Sequence, residues 1–266
     1  MEQAFLHALL DQIQAAQREA GQMLLQASAI HTQTKTSRRD VVTEYDRQVQ
    51  ALLVGRLLAA VPGAGFVMEE SDTQDALNGE HVFIIDPIDG TMNFVQHFRH
   101  SAICVAYASR GRVLCASVFN PYADEMFSAI KGEGAFLNGQ SIHADSAPLN
   151  QTLFCLGTSP YYPELTDETF RLARSAFDAS LDLRRMASAE LDLCAVAAGR
   201  AGLYVELGLS LWDYAAGMLI VREAGGLCCD PSGADTVLQL GRSAVFAGGP
   251  QALADFLRLT GAVRHD

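Results

Sequence analysis

The sequence has no apolar run of membrane-spanning length, and its cations are few. Nineteen Lys and Arg stand against 31 Asp and Glu in 266 residues, a formal net charge of −12. That balance argues against a general nucleic-acid or acidic-membrane surface, which would need basic patches. The six cysteines (Cys104, Cys115, Cys155, Cys194, Cys228, Cys229) include no C-x-x-C pair, and the seven histidines no H-E-x-x-H spacing. Zinc sites of those kinds are excluded. Most of the cysteines sit in apolar runs, as buried thiols in a reducing compartment would. Glu2 and Asp11, with no long apolar run around them, argue against a signal peptide, so the expected location is the cytoplasm. There is no low-complexity tract, no internal repeat and no Pro/Gly/Ser linker. Apolar residues make up 49% of the chain, enough for a sizeable core.

What is present begins with helical spacing. Residues 2 to about 31 place Phe5, Leu6, Leu9, Leu10, Ile13, Met23, Leu24 and Ala27 on one face. The polar stretch 32–40, with Lys35, Arg38 and Arg39, reads as an exposed loop. A second helix is expected from near Thr43 to Pro62, and a short strand at 66–68 ends in Glu69-Glu70-Ser71. Strands at 103–108, 113–119, 125–130 and 135–137, with turns at Arg110-Gly111, Asn120-Pro121 and Asn138-Gly139, predict antiparallel pairing. The second half alternates instead. Strands at 153–156, 181–184, 202–206 and 244–247 are interleaved with helices at 164–179, 188–198, 212–223 and 250–259. That alternation implies an α/β layer. A composition shift near 145–152 divides the chain into 1–148, helices on a mostly antiparallel sheet, and 149–266, an α/β unit packed tightly on the first.

Between the two halves of the first unit lies the stretch that organises the chain. The apolar run Val82-Phe83-Ile84-Ile85 reads as a buried strand and delivers Asp86-Pro87-Ile88-Asp89-Gly90-Thr91. Pro87 fixes its own φ and pushes Asp86 into an extended conformation. Gly90 and Thr91 then turn the chain into a helix-like segment, Met92 to Phe98. Backbone amides at such a turn suit a phosphate, and hard carboxylate oxygens beside it suit Mg²⁺. A plain surface turn would use the same residue types. Thr43-x-x-Asp46 likewise resembles a helix capping box, and Asp213 suits the first turn of a helix.

Four acidic positions stand together in this reading: Asp46 after Val41-Val42-Thr43, Glu69-Glu70-Ser71, Asp86 with Asp89, and Trp212-Asp213. With Asp-Pro-Ile-Asp-Gly-Thr-x-Asn-Phe, Trp-Asp-x-Ala-Ala-Gly and Glu223-Ala224-Gly225-Gly226, the set resembles the inositol monophosphatase family across nearly the whole chain. These are Mg²⁺-dependent, lithium-sensitive phosphatases. The resemblance implies a layered α-β-α-β-α sandwich, an α/β fold shared with fructose-1,6-bisphosphatase, and a homodimer.

The resemblance also implies roles for individual residues. Glu69, Asp86 and the carbonyl of Ile88 would hold a first Mg²⁺, and Asp86, Asp89 and Asp213 a second, with two or three ions per site. Two such ions about 4 Å apart clamp the attacking and leaving oxygens of an in-line displacement. Thr91, Asp46 and Glu69 would be catalytic, Thr91 orienting the attacking water with Asp46 behind it. Gly90, Thr91, Ala189, Glu206 and Asp213 would meet the substrate. The family commonly has Gly at Ala187, and Thr or Lys at Met92. Met92-Asn93-Phe94 favours this branch over relatives that hydrolyse 3′-phosphoadenosine 5′-phosphate, which have Lys-Glu-Phe. The expected activity is hydrolysis of myo-inositol monophosphate. Fructose 1,6-bisphosphate or histidinol phosphate are alternative substrates, and a transcription-machinery interaction protein with incidental phosphatase activity is a different reading.

Overall fold

The computed structural model describes residues 2–28, 30–35, 41–72 and 74–261. Helix α1 (Glu2–Leu25) is followed by a two-stranded antiparallel arm, β1 (Thr32–Thr34) and β2 (Val41–Thr43), and by helix α2 (Glu44–Ala60). Next come β3 (Gly65–Met68), β4 (Val82–Asp89), the short helix α3 (Thr91–Val95), β5 (Ala102–Ser109), β6 (Arg112–Asn120), β7 (Glu125–Ile130), β8 (Ala135–Leu137) and β9 (Gln140–Ile142). The rest comprises β10 (Leu153–Leu156), α4 (Thr166–Ala179), β11 (Asp182–Arg184), α5 (Ala189–Ala197), β12 (Leu203–Leu209), α6 (Ala215–Glu223), β13 (Leu227–Cys229), β14 (Ser243–Gly248) and α7 (Pro250–Thr260).

Strands β3 to β9 form one seven-stranded sheet in sequence order, antiparallel except for the parallel β3–β4 pair. The second sheet runs β11-β10-β12-β14-β13, parallel at its first two pairings and antiparallel at the others. Period-two alternation assigns the faces. Phe83, Ile85, Val105 and Tyr107 pack under α1 and α2, with Ile13, Val49 and Leu53. The opposite face presents Val82, Ile84, Cys104, Ala106 and Ala116 to α5 and α6. Small residues there, together with Ala215, Ala216 and Gly217 on α6, let the middle helices come close. Cys155, Tyr204 and Val245 complete that layer from the second sheet. Its far face buries Phe154, Val205 and Phe246 under α4 and α7, against Leu172, Leu253 and Phe256. The layers therefore run α-β-α-β-α, as expected.

The structure corrects several boundaries. Helix α1 stops at Leu25, and the stretch after it is not all loop: Thr32–Thr34 pairs with Val41–Thr43. Arg38 and Arg39 lie outside the described residues. Strand β4 does not end at its first charge but runs on through Pro87 to Asp89. Proline is tolerated there for two reasons. The β3 partner ends with Met68 opposite Ile85, and the β5 register slips between Asp86 and Asp89. Helix α3 begins one residue early and ends at Val95. The helix expected from Trp212 begins at Ala215, preceded by a 3₁₀ turn over Leu211–Asp213. Strand β13 was not anticipated. Its Cys228 and Cys229 are buried, and no disulfide forms among the described residues. Among the described residues no helix is long and apolar enough to cross a membrane.

Candidate active site

A cavity of about 510 Å³ opens where β4, α3, α5, β12 and the Leu211–Asp213 turn meet. Its lining includes Glu69, Asp86, Ile88, Asp89, Gly90, Thr91, Ala189, Glu206 and Asp213. Of the residues singled out from the sequence, only Asp46 lies behind the wall. It is fully buried and reaches Thr91 from below.

The register slip in β4 shapes the floor. Ile88 turns its side chain into the core under α2, while its carbonyl accepts from the Thr91 hydroxyl at 3.0 Å. Asp86 Oδ1 accepts from the Ile88 amide at 2.9 Å, fixing the carboxylate across the slip. Gly90 enters α3 in the left-handed region (φ 85°), where a side chain would be strained. A Cβ there would also lie 2.9 Å from the Ala187 carbonyl. Asn93 completes the closure: its Nδ2 donates to the carbonyls of His100 and Met186, both at 2.7 Å.

Asp89 is held from the other side. Its Oδ2 accepts from Ser188 Oγ at 2.6 Å and the Glu190 amide at 2.8 Å, and Oδ1 from the Ala189 amide at 3.2 Å. Those amides are the orphan donors of the first turn of α5, so Asp89 caps a helix 100 residues away. Asp213 is fixed locally, with Oδ2 accepting from the Ser210 amide at 2.7 Å. Glu206 accepts from Ser159 N and Oγ through Oε1 (2.9 and 3.0 Å) and from Tyr204 OH through Oε2 (2.7 Å).

Crowding of acids sets the electrostatics. Burial pushes Asp86 well above the usual carboxylate range, and Glu69, Asp89, Asp213 and Asp46 push it further. Asp213 is raised in the same way, by burial and then by Glu69 and Asp89. Burial lifts Asp89 to about 7 against its three hydrogen bonds. Asp46 is also lifted to about 7, chiefly by burial, with Thr43 opposing and Glu69 adding. The Lys35 ammonium donates to Glu69 Oε1 at 2.8 Å and also pairs with Glu70. Burial works against its charge, yet the two carboxylates hold its pKa above the ordinary value. Among the described residues no three acids are already closed round one point. Every donor is a hard oxygen, and the one ammonium of Lys35 faces several crowded carboxylates, so the residues fit Mg²⁺.

The match to the inositol monophosphatase family extends over residues 6–260. This chain belongs to that family. Curated relatives include the Nus factor SuhB of Escherichia coli strain K12, 32% identical over 257 residues covering 95% of each chain. The Nus factor SuhB of Vibrio cholerae is 36% identical over 258 residues, covering 95% of this chain and 96% of the relative. The crystal structure of the extragenic suppressor protein suhB from Bartonella henselae superposes with a TM-score of 0.88 at 31% identity, covering 95% of this chain and 98% of that one. An IMPase of Thermotoga maritima gives 0.83 at 28%, covering 93% and 94%.

Sequence reading missed residues that hold the site rather than line it by motif. Ser159 and Gly157 place Glu206; a Cβ on Gly157 would lie 1.8 Å from Glu206 Oε2. The glycine directly after an apolar strand was the available signal. Asp192, buried beside Cys155, also lines the cavity. Glu190 was hidden because an acid at the second position of a helix normally reads as a dipole partner.

Proposed function

We propose that this chain hydrolyses a sugar or polyol phosphomonoester with Mg²⁺, myo-inositol monophosphate foremost, giving the free alcohol and inorganic phosphate. The observation that carries this reading is the convergence of Glu69, Asp86, Asp89 and Asp213 on one cavity with Thr91, whose hydroxyl is backed by Asp46. Glu69, Asp86 and the Ile88 carbonyl would hold one ion, and Asp86, Asp89 and Asp213 another. When bound, Mg²⁺ would offset the crowded carboxylates, polarise the phosphate and acidify water.

The chain's own residues do the positioning. The Thr91 hydroxyl has one proton and two acceptors in reach, Asp46 Oδ1 at 3.3 Å and the Ile88 carbonyl at 3.0 Å. Its lone pairs stay available to orient the attacking water. Asp46, lifted above the ordinary carboxylate range chiefly by burial, is placed to take a proton through the Thr91 hydroxyl. The water oxygen bonds to phosphorus as the ester oxygen departs and gains a proton. Amides at Gly90 and Thr91 would receive the phosphate. Glu206, already fixed by Ser159 and Tyr204, keeps lone pairs for the alcohol's hydroxyls, and the small side chain of Ala189 leaves room for its ring.

Phosphate release from myo-inositol 1-phosphate, fructose 1,6-bisphosphate and histidinol phosphate tests the reading. Activity should be greatest on the first, vanish with chelator, return with Mg²⁺ and fall with lithium. Full turnover in excess chelator would overturn the mechanism. Assembly as a homodimer belongs to the same reading and is checked by sedimentation.

A second reading is favoured by the relatives' name, Nus factor: a role with the transcription machinery, with hydrolysis incidental. A strain lacking this protein, complemented by wild type or by Asp89→Asn, separates the two. Rescue by Asp89→Asn favours the interaction role; failure of rescue favours hydrolysis.

A further inference from the structure

Glu190, on α5, is fully buried against α6, in a layer made mostly of apolar side chains. No motif asks for it, and among the described residues no cation acts on it. Its Oε1 accepts from the Ala216 amide at 3.1 Å, and its Oε2 from the Gly217 amide. Helix α6 has no side-chain cap of its own, since Tyr214 stands at its N-cap position without such a bond. Glu190 therefore satisfies two of α6's orphan donors from a neighbouring helix. At the same time its backbone amide donates to Asp89 Oδ2.

The consequence is geometric. Asp213 ends the turn that leads into α6 at Ala215, and Asp89 is gripped by the first turn of α5. One residue thus touches Asp89 through its backbone and pins the start of the helix behind Asp213 through its side chain. Gly217 makes the approach possible, because a Cβ there would lie 2.5 Å from Glu190 Oε2.

We infer that Glu190 is a positioning residue that sets the separation of Asp89 and Asp213, and so the affinity of the site for divalent cation. The inference rests on the proposed Mg²⁺ reading. It assigns Glu190 no contact with substrate. The α5–α6 contact is also made by Leu193, fully buried, whose Cβ lies 2.6 Å from the position a Cβ on Gly217 would take. Leu193 has no bond to either acid, so it reports the packing contribution alone.

The test is Mg²⁺ binding by calorimetry on the whole chain, with thermal unfolding in chelator and in saturating Mg²⁺. Glu190→Gln keeps the volume but turns an NH₂ toward one of the two amides. Outer residues that orient metal ligands are typically worth roughly 10–100-fold in metal affinity, and a loss of that order is expected, with a smaller Mg²⁺-induced rise in Tm. Leu193→Ala should lower Tm in chelator yet leave Mg²⁺ affinity within about twofold. If Glu190→Gln does not fold, Glu190→Asp, which keeps the carboxyl but is one methylene short of the α6 amides, is expected to show the same loss. Wild-type affinity in whichever Glu190 variant folds, or an equal loss in Leu193→Ala, overturns the inference while leaving the function standing. Failure of the wild type itself to bind Mg²⁺ overturns both.

Discussion

Asp46 divides its carboxylate between two threonines. Oδ2 accepts from the Thr43 amide at 2.7 Å and hydroxyl at 2.6 Å, while Oδ1 accepts from the Thr91 hydroxyl at 3.3 Å. The first set closes the capping box of α2; the second reaches the cavity wall. Capping and a contact with the cavity wall, the two readings of Thr43-x-x-Asp46 in the sequence, coexist in one side chain. The helix cap is what aims Oδ1.

Thr91→Ala removes the hydroxyl and keeps all the acidic side chains. A positioned proton transfer is worth about 10²–10⁴-fold, so kcat should fall by that order with Mg²⁺ affinity little changed. Asp46→Asn should match it, and the double variant should lose little more than either single, because the two act as a unit. Asp86→Asn should damage both turnover and Mg²⁺ affinity. Turnover near wild type in Asp46→Asn would reduce Asp46 to its cap. The measurement is kcat against Mg²⁺ concentration for the four variants.

The raised acids give the chelated protein a pH dependence of definite sign. Asp46 moves from an ordinary value of 3.8 to about 7 on folding, chiefly through burial. The folded state therefore binds the proton more tightly than the unfolded one. Its contribution to stability is fully present below about 4 and is lost as pH rises through about 7. Tm in chelator should fall across that window, Asp89 adding in the same direction. Asp46→Asn should flatten part of the slope. Parallel curves for variant and wild type would mean that Asp46 does not titrate as placed.

Ala187 sits in the left-handed region at φ 62°. A Cβ there costs roughly 1–2 kcal/mol, partly offset by the greater unfolded-state freedom of glycine. Ala187→Gly should stabilise the protein by up to about 1 kcal/mol, and Ala187→Val should destabilise it. Thermal melts of the three proteins decide the order. A lower Tm for Ala187→Gly would show that the alanine methyl makes packing contacts worth more than the strain.

How much of this was legible in the sequence follows the range of the interaction. The strand into Asp86-Pro87-Ile88-Asp89 was readable because a fully buried run has no competing pattern. Type and order of the larger elements followed from periodicity, and Asn138-Gly139, both at positive φ, turned the β8–β9 hairpin as expected. The β1–β2 arm was not readable, because three exposed residues carry no apolar alternation. Nor was the extension of β4 through Pro87, which depends on a partner strand ending at Met68. Within the site, the motif acids were legible and their holders were not. Ser188 and the α5 amides meet Asp89 across about 100 residues, and nothing local in the sequence encodes that contact.

Gly157 offers the sharpest separation of substrate contact from chemistry. It follows β10, with its amide bonded to the Val205 carbonyl at 2.9 Å, directly beside Glu206. In Gly157→Ala the new methyl meets Glu206 Oε2 at 1.8 Å, Cδ at 2.1 Å and Cβ at 2.6 Å, so the carboxylate must leave its place between Ser159 and Tyr204. The acids Glu69, Asp86, Asp89 and Asp213 are on other elements and stay where they are. If Glu206 binds the alcohol's hydroxyls equally in ground and transition states, its loss raises KM and spares kcat. One charged hydrogen bond is worth about 1.5–3 kcal/mol, so KM for myo-inositol 1-phosphate should rise by about 10–100-fold. Mg²⁺ affinity should not change. An aryl phosphate without hydroxyls on its leaving group should be cleaved equally by variant and wild type. An equal loss on both substrates would place Glu206 outside alcohol recognition and tie the damage to the general folding of the cavity wall.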